Sequence, residues 1–234
     1  MNEPLSCPAD EVHWLLCQLD EAARALPIDA LSSDELERAA RLQRALDRQR
    51  FVAARAWLRH VLGRYLAVAP RAVVFAQGQF GKPSLAGARG ALQFNLSHSG
   101  GVALLALSPA AVLGADIEAV LPIDDCAAIA RRHFAPAEWQ RWSSLQPAQQ
   151  LAAFYACWTR KEAYVKALGG GLSVPLDDFE VTFEPDRPAV LLSVGGSAQQ
   201  ARAWTLWGLQ PTPGHVAAVA AHADGLKVRH VDWH

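Results

Sequence analysis

Hydrophobic positions along this chain switch several times between a helical and a strand period, and the switches divide it into segments. In 31–66, "LSSDELERAARLQRALDRQRFVAARAWLRHVLGRYL", Leu36, Ala39, Leu42 and Leu46 recur on one face, followed by Ala54, Leu58, Val61, Leu62 and Tyr65 at the same period. Ser32 and Glu35 have the spacing of a capping box, so the stretch predicts two helices, or one bent helix, ending before "VAPRAV". A possible edge strand, "VHWLLCQLD", precedes them. Short β-rich runs follow, split by Gly and Pro: "AVVFAQ", "GQFGKPSLAGARG", "LQFNLS", "GVALLALS" and "AVLGADIEAV", a small sheet packed on the helices. The order then repeats. Helical patterns in "IDDCAAIARRHF" and "PAQQLAAFYACWTRKEAYVKAL" stop at "GGG", and strand-like runs "FEVTFE", "AVLLSV", "RAWTLWGL" and "HVAAVAAHA" close the chain. The repetition predicts an α+β fold of two similar halves meeting near Val112, residues 1–112 and 113–234.

Composition narrows what such a fold can do. With 234 residues, 51% of them hydrophobic, the chain can bury one large core or two small ones. Its 22 Lys+Arg against 23 Asp+Glu leave no broad basic surface for nucleic acid, so any anion site must be local. Cys7, Cys17, Cys126 and Cys157 lie far apart, with no CxxC pair and no His at zinc spacing, which predicts reduced thiols rather than a disulfide framework. The N-terminus lacks a basic start followed by an apolar run, and "VALLAL" falls far short of the roughly 20 residues of a membrane span. A soluble cytoplasmic protein is expected.

Candidate chemistry concentrates in four places. In "LGADIEAV", strand alternation puts Asp116 and Glu118 on one face and Ala115 and Ile117 on the other. By itself this is also what an edge strand shows to water. In "CWTRKEAYVKALGGGL", Trp158, Glu162 and Lys166 follow i, i+4, i+8 spacing along one helical stripe, which by itself is also an exposed Glu–Lys pair beside a core Trp. Together, the three acids supply the hard oxygen ligands Mg²⁺ prefers, and the lysine a cation for substrate phosphate. In "FNLSHSGG", Ser97 and His98 are neighbours on a strand and face opposite ways, and no GxSxG elbow exists, so an anion cradle suits the turn better than a Ser/His pair; a solvated hairpin is the alternative. In "GQFGKP", Lys82 is held between a glycine and a proline.

In this order, "GKPSL", "FNLSHSGG", "LGADIEAV" and "WTRKEAYVKALGGGLSVPLDDFEV" resemble the 4′-phosphopantetheinyl transferases of the long, pseudodimeric type that includes the surfactin synthetase activator. The resemblance spans about residues 35–184. It implies transfer of the phosphopantetheine arm of coenzyme A to a serine of an acyl or peptidyl carrier protein, with Mg²⁺ required and 3′,5′-ADP released. It implies that Asp116, Glu118 and Glu162 hold the metal, that Glu162 accepts the serine proton, and that Lys166 stands by the phosphates. Ser97 and His98 would contact coenzyme A, and Lys82 with Arg50 its 3′-phosphate end; Arg48 and Arg55 remain alternatives for Arg50. Two departures are visible: Ala115 replaces a usual β-branched residue, and Gly170 a usual basic one. Arg131 and Arg132 could face an acidic carrier, or simply water. A fused pair of halves implies a monomer. The competing classes are a Mg²⁺-dependent phosphoesterase and a module that holds coenzyme A without turnover.

Overall fold

The computed structural model of the chain describes residues 4–78, 81–87 and 92–233, so Gln79, Phe80 and Ala88–Gly90 of the "GQFGKPSLAGARG" run lie outside the described residues. The elements in chain order are β1 (Glu11–Gln18), α1 (Leu19–Ala25), α2 (Ser33–Ala40), α3 (Ala45–Leu66), β2 (Phe75–Gln77), β3 (Pro83–Leu85), β4 (Gln93–Ser99) and β5 (Val102–Ser108). Then come β6 (Leu113–Ala119), α4 (Cys126–His133), α5 (Pro136–Ser143), α6 (Pro147–Leu168), β7 (Phe179–Val181), β8 (Leu191–Val194), α7 (Ala198–Ala201), β9 (Thr205–Leu209), β10 (His215–Ala221) and β11 (Lys227–His230).

Strand β5 explains the layering. All seven of its residues are buried, and so continuous an apolar run needs cover on both faces. Ala103, Leu105 and Leu107 pack with Trp57, Leu58, Val61 and Leu62 of α3. Val102, Leu104 and Ala106 pack with Leu113, Ala115 and Ile117 of β6 and with Ala217 and Val219 of β10. Beyond β10, Ala218 and Ala220 face the core around α6. The order of layers is therefore α3, a first sheet β11-β1-β5-β4, a second sheet β6-β10-β9, and α6, with hairpins β2-β3 and β7-β8 outside. Each fully buried Leu-sized side chain contributes about 1.5–3 kcal/mol to this stack.

The helical stretch resolves into two helices, α2 and α3, and the Glu35 carboxylate accepts the Ser32 N–H at 2.9 Å as its spacing predicts. The first strand is not at an edge. It runs antiparallel to β5 and parallel to β11, because both of its faces carry buried residues. Strand β11 links the two ends of the chain by pairing parallel to β1. The chain end returns to the first sheet, and Trp233 packs edge-on against Trp57 with centroids 6.4 Å apart, so the second half does not keep its own last strand. Among the described residues no helix is long and apolar enough to cross a membrane.

One glycine sets how closely the second sheet meets its helix. A Cβ at Gly114 would lie 2.2 Å from the Ala163 carbonyl oxygen and 2.3 Å from the Ala167 nitrogen, so β6 and α6 touch backbone to backbone there. At the end of α6, Gly169 takes φ +72° and donates its N–H to the Val165 carbonyl at 3.1 Å, the left-handed stop that the glycine run predicts.

Candidate active site

Because Leu113, Ala115 and Ile117 point into the core between the sheets, Asp116 and Glu118 point the other way, beside α6. Edge strand β4 meets edge strand β6 there through side chains. Asn95 Oδ1 accepts the Ala115 N–H at 2.9 Å, Ser97 Oγ donates to Asp116 Oδ1 at 3.0 Å, and Ser99 Oγ donates to Glu118 Oε2 at 2.7 Å while accepting the Ala119 N–H at 3.1 Å. Asn95, Ser97 and Ser99, alternate residues of β4, thus tie the two sheets together. Lys166, one turn beyond Glu162 on α6, enters the same seam, with its Nζ 2.5 Å from Asp116 Oδ1 and 3.0 Å from Ser97 Oγ.

The charges at this seam are coupled. Asp116 is 3% exposed; its Oδ1 serves Lys166 and Ser97, but its Oδ2 is buried and among the described residues has no hydrogen-bond partner. Burial pushes its pKa up to about 6, Glu118 adds to the rise, and Lys166 and Ser97 oppose it. Burial also raises Glu162, again with Glu118 adding and Lys166 opposing, and among the described residues nothing donates a hydrogen bond to its carboxylate. His98 projects on the exposed side of β4, away from buried Ser97. The atoms crowded around its ring withhold part of its hydration, and with the Lys166 ammonium they hold its pKa below the usual value, against Glu118. The structure therefore brings together Ser97, His98, Asp116, Glu118, Glu162 and Lys166.

Two other expected residues stand elsewhere. Lys82 does not join Arg50: its Nζ donates to the carbonyls of Leu113, Lys166 and Ala167 at 2.8, 2.7 and 3.4 Å. All three N–H bonds of that ammonium go to backbone carbonyls, and burial lowers its pKa to about 8. The carbonyls at the end of α6 need donors, and Lys82 supplies them. Arg50 lies against the β4–β5 turn, where a Cβ on Gly101 would be 3.3 Å from its Nη2, and it forms a two-bond pair with Asp20 at 2.8 and 2.9 Å. Of the alternatives, Arg55 is paired with Glu35, as is Arg59, and Arg48 donates to the Leu42 carbonyl at 3.1 Å.

Sequence reasoning missed Asn95 and Ser99, although their two-residue spacing with Ser97 was a signal. It also missed Asp20, the partner of Arg50.

As to a metal, among the described residues no three His, Cys, Asp or Glu side chains are gathered closely enough to enclose an ion. The unpartnered Asp116 Oδ2 is nevertheless a hard oxygen in want of a cation. Mg²⁺ commonly takes one or two carboxylates and completes its shell with water and substrate phosphate, so the donors present fit it.

Comparison with known proteins agrees with this geometry. A family profile described as the 4′-phosphopantetheinyl transferase superfamily matches residues 112–220, and one described as 4′-phosphopantetheinyl transferase, N-terminal, matches residues 20–110. The chain is 40% identical over 234 residues to the 4′-phosphopantetheinyl transferase HetI of Nostoc sp., covering 98% of this chain and 94% of that protein. The chain belongs to the 4′-phosphopantetheinyl transferase superfamily. Within that superfamily it is of the long, Sfp-like type: it is 31% identical over 156 residues to 4′-phosphopantetheinyl transferase Sfp of Bacillus subtilis, covering 67% of this chain and 68% of that protein. Among solved structures, the holo-[acyl-carrier-protein] synthase of Thermotoga maritima covers 48% of this chain and 64% of its own, at 21% identity and a TM-score of 0.37, too slight a likeness to compare superfamily sites atom by atom.

Proposed function

We propose that this chain transfers the 4′-phosphopantetheine arm of coenzyme A to a serine of an acyl or peptidyl carrier protein, releasing 3′,5′-ADP with Mg²⁺ bound. The observation that carries this reading is the buried Asp116 carboxylate with one oxygen unpartnered and the other on Lys166. Asp116, Glu118 and Glu162 are the residues to hold Mg²⁺, which when bound supplies positive charge to the diphosphate oxygens. Lys166 adds a cation beside the departing phosphate. Glu162, whose raised pKa suits a base, takes the proton from the carrier serine. The serine oxygen bonds to the phosphorus that bears the pantetheine arm, the bond from that phosphorus to the bridging oxygen breaks, and the electron pair leaves with 3′,5′-ADP.

His98 and Ser97 line the phosphate approach, and Arg50 holds the 3′-phosphate by exchanging Asp20 for it. Exposed Arg131 and Arg132 on α4 suit an acidic carrier. Four free cysteines suit a reducing cytoplasm, and the enzyme is inferred to act as a monomer. The test is intact-mass spectrometry of an apo carrier protein after incubation with this chain, coenzyme A and Mg²⁺, with EDTA as control. A gain of one phosphopantetheine that EDTA prevents is expected. Coenzyme A binding without a mass gain on several carriers would replace the transferase by a holding module.

A further inference from the structure

Strand β6 brings Asp116 and Glu118 against α6, yet its face toward that helix is Gly114, Asp116 and Glu118, with no apolar side chain to bury there. The apolar contact between the second sheet and α6 comes from the next strand, through Ala218 and Ala220 of β10. Charge works against the approach of β6. Glu118 raises the pKa of both Asp116 and Glu162, so the carboxylates of strand and helix repel one another, and Lys166 offsets only part of this. A strand lying backbone to backbone on the helix at Gly114 therefore needs other ties.

Two such ties stand at the ends of the strand. At its start, the Lys82 ammonium donates to the Leu113 carbonyl of β6 at 2.8 Å and to the Lys166 carbonyl of α6 at 2.7 Å, joining strand to helix through one atom. Just past its end, the Tyr155 hydroxyl donates to the Leu121 carbonyl at 3.0 Å and accepts the Leu121 N–H at 3.3 Å. Tyr155 is 7% exposed and Leu121 62%, so the hydroxyl, not packing of the Leu121 side chain, holds the backbone there. The neighbouring Val120 N–H goes to the Gly214 carbonyl, which ties it to the loop before β10 and not to the helix. Tyr155 and Lys166 stand about three turns apart on α6, with Glu162 between them, just as Asp116 and Glu118 lie between Leu113 and Leu121.

We propose that Lys82 and Tyr155 clamp β6 to α6 at both ends and are positioning residues, which fix Asp116 and Glu118 at their working distance from Glu162 and Lys166. The effect of the clamp on rate rests on the transferase reading; its effect on the seam does not.

The experiment compares the full chain with Tyr155→Phe, which removes one oxygen, and with Lys82→Met, which keeps an apolar stem and removes the ammonium. Amide hydrogen exchange is followed at Ala115 and Ala119, whose N–H groups go to Asn95 and Ser99 and touch neither clamp, with Leu105 of β5 as control. Each variant should speed exchange at Ala115 and Ala119 at least about tenfold and leave Leu105 unchanged. Transfer by the same samples should lose at least about tenfold in kcat while the KM for coenzyme A stays within about twofold of wild type. A Lys82 that contacts phosphate would instead raise the KM for coenzyme A and spare that for dephospho-coenzyme A. Unchanged exchange at Ala115 and Ala119 in Tyr155→Phe would overturn the proposal, and so would a wild-type kcat in that variant, or a raised KM with an intact kcat in Lys82→Met. If the wild type transfers nothing, the transferase reading has failed and exchange alone decides the clamp. If Lys82→Met does not fold, Tyr155→Phe decides it.

Discussion

Helix α6 carries two lysines five residues apart, each against a buried carboxylate, and the two pairs are completed very differently. Lys161 is fully buried, with its Nζ 2.7 Å from Glu138 Oε2, 2.7 Å from the Leu176 carbonyl and 2.6 Å from that of Phe179. Glu138 also accepts the N–H groups of Ala135 at 2.8 Å and Val181 at 2.7 Å, so both of its oxygens are served. Asp116, by contrast, has both donors on Oδ1 and none on Oδ2. Burying charge is thus common to both regions, and leaving it incomplete belongs to one. An ion pair with every donor and acceptor used is a structural clasp; a pair with an orphaned oxygen is poised to receive a ligand.

The comparison can be broken most forcefully at the clasp. Glu138→Ala leaves the Lys161 ammonium buried without its carboxylate, and urea unfolding should show a loss of about 3–5 kcal/mol. A loss under about 1 kcal/mol would mean that the clasp is dispensable. Next in size, Gly114→Val must push β6 off α6, because even a Cβ has only 2.2 Å to the Ala163 oxygen. We expect a destabilisation of about 1–3 kcal/mol or more, with transfer impaired because Asp116 and Lys166 separate. A smaller effect sharpens the other side: His98→Ala should raise the apparent KM for coenzyme A about tenfold with little change in kcat, whereas an unchanged KM with lost kcat would make the histidine catalytic.

The mildest test is pH. The folded-state pKa of Asp116 is raised from 3.8 to about 6, so between those values the folded protein holds a proton that the unfolded chain releases. Relative to Asp116→Asn, wild-type stability is therefore fully favoured below about pH 4 and declines as pH rises through about 6. On the proposed function transfer uses the ionised carboxylate and should rise through that same window. Parallel rather than opposite trends would contradict the raised pKa.

The seam was partly legible in the sequence, and the limits have physical causes. Asp116 and Glu118 could be placed on one face because apolar Ala115 and Ile117 mark the other. Glu162 and Lys166 could be placed together by helical spacing. Those are local periodicities. Nothing local announces that Ser99 reaches Glu118, that Glu138 meets Lys161, or that Lys82 turns to carbonyls 31 and 84 residues away, since such pairings exist only once the layers have packed. Strand β11 escaped for the same reason: the short run "KVRH" has no apolar alternation, and its place is set by pairing with β1. Helix α5 lacked a helical apolar stripe of useful length, and it is secured by Glu138 and Trp142 from within the core.

The central claim is that the incomplete pair is the working one, and Asp116→Ala tests it most directly. Transfer to an apo carrier should be followed by intact mass with coenzyme A and excess Mg²⁺, beside a melting curve of the same sample. The account predicts at least about a thousandfold loss of transfer with a melting midpoint close to wild type. Transfer at the wild-type rate in a well-folded Asp116→Ala protein would contradict it.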